Sequence, residues 1–171
     1  MNRTEFKYCP LCATPLEGRT IYRQMRSVCP SCGFVHFTDP KVAVIALVTH
    51  ADKILLARRA VDPAKGKWAL PGGYMDAGEM PEAALQRELT EELHLEVKIM
   101  QLLDIFPLVV ADQRKRGIVL AYHAVPANAQ PTLICDDDVS EADWFLDGAI
   151  PSDLAFDSTH VLLARWRAAR L

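Results

Sequence analysis

The sequence predicts an α/β domain of about 130 residues behind a small four-cysteine zinc ribbon. Three observations predict it. Two C-x2-C pairs fall within the first 32 residues. Strand-like runs and two stretches of helical periodicity follow them. The composition, 50% hydrophobic and 24% charged over 171 residues, is that of a packed globular chain rather than a disordered or fibrous one. The longest unbroken apolar run, Val42 to Val48, is seven residues, whereas a membrane helix needs about 20, so no bilayer crossing is expected. The opening MNRTEFKY holds charges and no apolar core, so no signal peptide and a cytoplasmic location are expected.

The ribbon is assigned to residues 1–37 and the larger domain to 38–171. Cys9 and Cys12 are separated by sixteen residues from Cys29 and Cys32. In a chain without a secretion signal, disulfides are not expected. Two tight knuckles that each present a pair of thiolates fit one tetrahedral zinc ion; a redox dithiol would need only one pair. Pro10 and Pro30 stiffen the knuckles, and Thr20 to Val28 reads as a hairpin arm. A 37-residue segment cannot build its own core, so zinc would supply its folding energy. Four thiolates leave no open coordination position, which makes the zinc structural. Residues 1–37 hold five basic and two acidic side chains, a balance of +3, so the rest carries −6 of the net −3. An acidic domain argues against a general nucleic-acid binder, and nucleic acid is not an expected partner.

Thr38-Asp39-Pro40 is the linker. Val42 to Thr49 and Ile54 to Arg59 are strands joined by a turn at His50-Ala51-Asp52. Pro63 to Lys67 is a loop, and Trp68 to Leu70 a short strand ending at Pro71-Gly72-Gly73. Pro81 to Leu93 is a helix: Ala84, Leu85, Leu89 and Leu93 recur at helical spacing, and proline suits the first helical position. Met80 is then a poor N-cap. Strands follow near Glu96 to Leu103, Ile118 to Val125 and Trp144-Phe145. Ser158 to Arg170 is an amphipathic helix capped by Asp157 or Ser158.

The helix after the glycine turn holds the chemistry. Glu88, Glu91 and Glu92 stand at i, i+3 and i+4 and share one face. Three like charges repel, and a hard divalent cation with oxygen ligands is the natural compensation. Arg87 lies beside them, and Glu79 can reach back to it and hold the loop over the helix. Residues 73–95 resemble the Nudix box, G-x5-E-x7-R-E-U-x-E-E-x-G-U with U a bulky aliphatic. Gly73, Glu79, Arg87, Glu88, Leu89, Glu91, Glu92 and Leu95 match it, and His94 stands where the family has glycine. The resemblance implies an αβα sandwich with a mixed sheet. It also implies hydrolysis, dependent on magnesium or manganese, of a nucleoside diphosphate linked to another group. Glu88, Glu91, Glu92 and the Gly72 carbonyl would ligate the metal, and Arg87 and Glu79 would be structural. Glu88, or a late acidic residue such as Asp138 or Glu141, would act as base.

A ribbon before such a domain is similar to two subgroups. The NADH pyrophosphatases have an S-Q-P-W-P-F-P-x-S signature of which only Phe106-Pro107 remains here. The FAD and ADP-ribose pyrophosphatases are resembled in the short ribbon, Asp39-Pro40-Lys41, Trp68-Ala-Leu-Pro71 and Leu154-Ala-Phe156. FAD or ADP-ribose, cleaved to release AMP, is therefore the expected small-molecule substrate. The alternatives are NADH and a non-catalytic nucleotide sensor with a nucleic-acid-binding ribbon; the intact carboxylates favour catalysis. Arg58, Arg59 and Lys67 are candidate phosphate contacts. Tyr22, Phe37, Tyr74, Phe106 and Phe156 are candidate stacking residues, each read first as packing. Trp68, Trp144 and Trp166 are read as core, the histidines as no ligand set, and Cys135 as a buried thiol. The oligomeric state stays open, a homodimer included.

Overall fold

The computed structural model describes residues 6–109 and 115–169. The chain divides into two compact units, Met1–Asp39 and Pro40–Leu171. The first is a small antiparallel sheet of β1 (Glu17–Ile21), β2 (Gln24–Val28) and β3 (Val35–His36), in that order. Its buried residues, among those described, are few: Cys9, Ser27, Val28 and Cys29. Cys9 and Cys29 are buried, and Cys12 and Cys32 face solvent. All four Sγ atoms lie within 4.8 Å of one another. Cys9 to Cys32 and Cys12 to Cys29 are 3.5 Å apart, and Cys12 to Cys32 3.6 Å. A tetrahedron with zinc–sulfur bonds of about 2.3 Å has an edge of about 3.8 Å, so the sulfurs fit that ion. In the knuckles, Ala13 N–H bonds back to the Cys9 carbonyl and Gly33 N–H to that of Cys29.

The second unit is a six-stranded mixed sheet between two helices. Its order is β6 (Trp68–Ala69), β5 (Lys53–Arg59), β4 (Lys41–His50), β8 (Lys115–Pro126) and β7 (Val97–Val109), with β9 (Val139–Leu146) paired to β5. The β4–β8 pairing is parallel and the others antiparallel. Strand alternation sends residues of β4 to opposite faces. Val44, Ala46 and Val48 pack against Ala84, Leu85, Leu89 and Leu93 of α1 (Pro81–Leu93). Leu47 packs on the other face with Leu162, Leu163 and Trp166 of α2 (Asp157–Ala169). Each buried leucine contributes about 2 kcal/mol. This is the expected αβα sandwich.

Helix α1 has the expected bounds, with Met80 as an N-cap that makes no side-chain bond. Three strands exceed their expected bounds by more than one residue at an end. β7 and β8 pair antiparallel over nearly their whole length, and the β7 register is interrupted between Ile99 and Gln101, Leu102 and Asp104, and Leu108 and Val109. β9 covers Val139 to Asp143 as well as the apolar pair: backbone pairing with β5 carries its polar residues Ser140, Glu141 and Asp143, while Val139 and Ala142 pack on the core. The expected last residue of α2, Arg170, lies outside the described residues. Cys135 is exposed rather than buried. Tyr22, Tyr74, Phe37 and Phe156 are exposed as well, so none of these four is a core aromatic. Trp68 and Trp166 are buried, and Trp144 packs partly covered against the α1-side core. No helix among the described residues is long and apolar enough to cross a membrane.

Two predictions follow from this architecture. Helix α1 ends at His94 in the left-handed region, φ 51° and ψ 32°, where its N–H reaches the Leu89 and Thr90 carbonyls. His94→Gly should stabilise the domain by about 0.5–1 kcal/mol, a rise in Tm of a few degrees, with kcat unchanged; thermal melts and assays check this. The ribbon should hold one zinc per chain by metal analysis. Chelation should abolish its signals in a heteronuclear NMR spectrum while those of the α/β unit, which has its own core, persist.

Candidate active site

The glycine turn is held as part of the sheet. Val44 N–H donates to the Gly73 carbonyl at 2.8 Å, Ala46 N–H to that of Pro71 at 3.0 Å, and Met75 N–H to that of Val42 at 3.0 Å. The turn lies so close to its neighbours that no side chain fits. A Cβ at Gly72, whose φ is +132°, would overlap the Val44 carbonyl, and one at Gly73 would overlap the Glu88 carboxylate. Among the described residues the Gly72 carbonyl accepts no hydrogen bond, while its N–H donates to Glu92 Oε2 at 3.1 Å. The turn thus contributes one free oxygen acceptor beside the helix.

Arg87 organises the rest. Its Nε and Nη2 donate to the two oxygens of Glu79, each at 2.9 Å. Nη2 also donates to the Tyr74 carbonyl at 3.0 Å, and Nη1 to Glu88 Oε1 and Glu91 Oε2, both at 2.9 Å. Glu79 in turn accepts from Asp76 N–H at 3.1 Å. One guanidinium therefore ties residues 74–79 to the helix and orients two of its carboxylates. The two-toothed Glu79 contact is the stronger kind of ion pair; it holds Glu79 below the usual carboxylate range and keeps Arg87 protonated.

The three helix carboxylates differ in environment. Glu92 is only 6% exposed. Burial pushes it up to about 7, opposed by the Gly72 N–H and Arg59 and reinforced by Glu88 and Asp138. Burial also raises Glu88, against the pull of Arg87. Glu91 is half exposed. Among the described residues only the four cysteine sulfurs converge as a close cluster; Glu88 and Glu91 lean on Arg87, and Glu92 on the turn. The donor set is nonetheless all hard oxygen, with a buried carboxylate whose ionised form needs a cation nearby, and it fits magnesium or manganese.

The loop before β9 comes against the end of α1: Asp136 N–H donates to the Glu92 carbonyl at 2.9 Å and Ile134 N–H to that of Leu93 at 3.1 Å. It brings Asp138 near Glu92 and Asp137 near Glu88. The sequence analysis did not single out Asp137; its place near Glu88 depends on where β9 begins, which the residues alone did not show. Glu141 points elsewhere, paired with Arg58 at 3.2 Å. Arg58 is further spent on the Gly66 carbonyl at 2.8 Å, and Lys67 is exposed. Of the three candidate phosphate contacts, Arg59 adds a charge that opposes the rise at Glu92. A surface hollow of about 510 Å³ lined by Asp52, Asp147, Trp166 and Arg167 shares no residue with this site.

Comparison with known proteins agrees with this arrangement. A model described as the NUDIX domain matches residues 39–163, and one described as Nudix N-terminal, a zinc ribbon, matches residues 7–38. The ADP-ribose pyrophosphatase of Methanocaldococcus jannaschii is 35% identical over 133 residues, 77% of each chain. The NAD-capped RNA hydrolase NudC of Stutzerimonas stutzeri is 28% identical over 152 residues, 87% of this chain but 51% of that protein; the chain thus spans about half the length of that relative. A solved Nudix hydrolase structure from Nitrosomonas europaea is similar with a TM-score of 0.85 at 28% identity, over 96% of this chain and 92% of that one. With a domain match over most of its length, a matched ribbon before it and a carboxylate helix held as described, the chain belongs to the Nudix hydrolase family.

Proposed function

We propose that this pyrophosphohydrolase cleaves the pyrophosphate bond of a nucleoside diphosphate joined to a second group, FAD or ADP-ribose foremost, and releases AMP. The observation that carries the reading is the row of hard oxygen donors on one helix face, Glu88, Glu91 and Glu92, of which Glu88 and Glu92 lie against the glycine turn whose Gly72 carbonyl is unengaged. A divalent cation held there supplies Lewis-acid polarisation of the phosphates and a more acidic water. The chain's own residues do the remaining work. Arg87 and Glu79 fix the loop and aim Glu88 and Glu91. Glu88, or Asp137 or Asp138 of the loop before β9, accepts the proton of the attacking water. The water oxygen bonds to one phosphorus as the bridging P–O bond breaks, giving AMP and ribose 5-phosphate from ADP-ribose, or AMP and FMN from FAD.

The substrate assignment is supported by the likeness to an ADP-ribose pyrophosphatase and by the short ribbon, Trp68-Ala-Leu-Pro71 and Leu154-Ala-Phe156. A second reading, NADH or an NAD-capped end, is favoured by the likeness to NudC. It is opposed by the segment Leu102 to Leu108, which lacks the proline-rich signature. A panel of ADP-ribose, FAD, NADH, CoA and 8-oxo-nucleotides with Mg²⁺, scored for nucleoside monophosphate release, separates them. ADP-ribose or FAD should lead; a preference for nucleoside triphosphates would overturn the assignment.

Glu92→Gln should keep the bond to Gly72 N–H while removing the buried charge, and kcat should fall by about a hundredfold or more. The raised carboxyl of Glu92 fixes a pH dependence in the metal-free protein. A carboxyl whose folded-state pKa lies above its unfolded value stabilises fully at pH 4 and below, and that contribution is lost as pH rises through about 7. The Tm without metal should therefore fall between pH 5 and pH 8. Glu92→Gln should flatten the fall, and Mg²⁺ should reverse it at pH 8, as calorimetric scans will read.

A further inference from the structure

The four sulfurs of the ribbon are not equivalent. Each knuckle is a short hairpin closed by an antiparallel pair, Tyr8 with Pro15 and Val28 with Val35. The first cysteine of each stands inside that closure. Cys9 N–H donates to the Thr14 carbonyl and Cys29 N–H to that of Phe34, both at 2.8 Å, and the carbonyls of the same two cysteines accept from Ala13 and Gly33 at 2.9 and 3.1 Å. Cys9 and Cys29 are 3% and 1% exposed. The second cysteine of each stands at the hairpin tip. Cys12 and Cys32 are exposed, and so are their neighbours Leu11, Ala13, Ser31 and Gly33. Their Sγ atoms lie 3.6 Å apart. The fold thus sets two sulfurs, one from each knuckle, side by side at the surface and buries the other two.

A structural ion needs none of this openness: four covered thiolates would hold it as well and would be kept from oxidants better. Sulfur oxidation follows thiolate character and exposure. Cysteine ligates zinc as thiolate, so the outer pair has both. Closing a disulfide takes the sulfurs from 3.6 Å to about 2.05 Å. The exposed tips have no packed neighbours to resist that movement. Cys9 and Cys29 also lie 3.5 Å from an outer sulfur, but they are held by the hairpin bonds on both sides and a small oxidant in solvent does not reach them.

We propose that Cys12 and Cys32 are an oxidation site for hydroperoxides, where a disulfide closes across the two knuckles and the ribbon's zinc is given up. This rests on the zinc assignment and is independent of the substrate reading. One of the two thiolates attacks a peroxide oxygen: an S–O bond forms, the O–O bond breaks, and the other oxygen leaves as hydroxide, so that a sulfenic acid remains. The second thiolate attacks the sulfenic sulfur: the S–S bond forms, the S–O bond breaks, and a second hydroxide leaves. With hydrogen peroxide the sum is two thiolates, one peroxide and two protons giving one disulfide and two waters; the peroxide takes two electrons, one from each sulfur. Only Cys9 and Cys29 are then left as ligands, and the ribbon loses the metal that orders it. Because the sulfurs stop at the disulfide, a dithiol and Zn²⁺ reverse the change.

Titration of the full-length, zinc-loaded chain with hydrogen peroxide tests this. Cys135→Ser removes the one cysteine outside the ribbon and with it any link between chains through that thiol. Zinc release is read with a chromophoric chelator, remaining thiols by alkylation, and the linkage by mass mapping of a non-reduced digest. Two thiols should be lost for each zinc released, and Cys12 to Cys32 should be the first linkage. The ribbon's signals in a heteronuclear NMR spectrum should vanish while those of the α/β unit persist, and a dithiol with Zn²⁺ should bring them back. Zinc retained under excess peroxide, a first linkage within one knuckle or to a buried sulfur, or zinc released with no disulfide formed would each overturn the site. A chain that holds no zinc before oxidation would overturn the metal assignment and this site with it, and would leave the hydrolase reading untouched.

Discussion

A carboxylate buried in a protein interior is tolerated only with compensation, and Glu92 imposes that constraint on everything around it. Its oxygen takes the Gly72 N–H, which fixes the glycine turn above the helix. The turn must then lie too close to β4 and Glu88 for any side chain. With Glu88 and Glu91 on the same face, Arg87 is needed as a permanent countercharge, and Glu79 in turn fixes Arg87. A cation at the carboxylates completes the electrostatics that this chain of contacts begins.

The site is built at one end of a sheet whose central strand does two jobs. β4 pairs with β5 through Thr49 and His50 alone, and on the same side its earlier residues hold the glycine turn. Its other edge is committed to β8 over eight residue pairs. The helix face that is not catalytic, Ala84, Leu85, Leu89 and Leu93, is wholly buried against β4. Packing and chemistry therefore occupy adjoining stripes of α1, with Glu92 buried where they meet, and the carboxylates inherit the rigidity of the core beside them.

Much of this was legible in the residues. Helical periodicity and Pro81 placed α1 to the residue, and the histidine in the glycine position of the box takes up the left-handed turn the family pattern implies. The paired cysteines announced a cluster that the coordinates bring together. What was not legible depended on pairing rather than on pattern. β9 mixes polar residues with core-facing Val139 and Ala142, and it is its register with β5 that makes it one strand. The hairpin of β7 and β8 is longer than its apolar content suggests. The same limit hid the difference between Arg58 and Arg59: adjacent in sequence and alike in charge, they are separated by a bulge contributed by a strand eighty residues later. Cys135 looked like a core thiol by type, yet it sits in the exposed loop before β9.

Because residues 71–75 are hydrogen-bonded into β4, the glycine turn is not a lid. Loops that close over substrates usually open at small free-energy cost, whereas this one is released only when the central strand lets go. Amide exchange along it should follow global unfolding, and heat should extinguish activity and structure at the same temperature. Diversification of such an enzyme is then confined to what the sheet does not hold, the strand ends and the approach to α2, where substrate preference can drift while the metal-facing frame stays fixed.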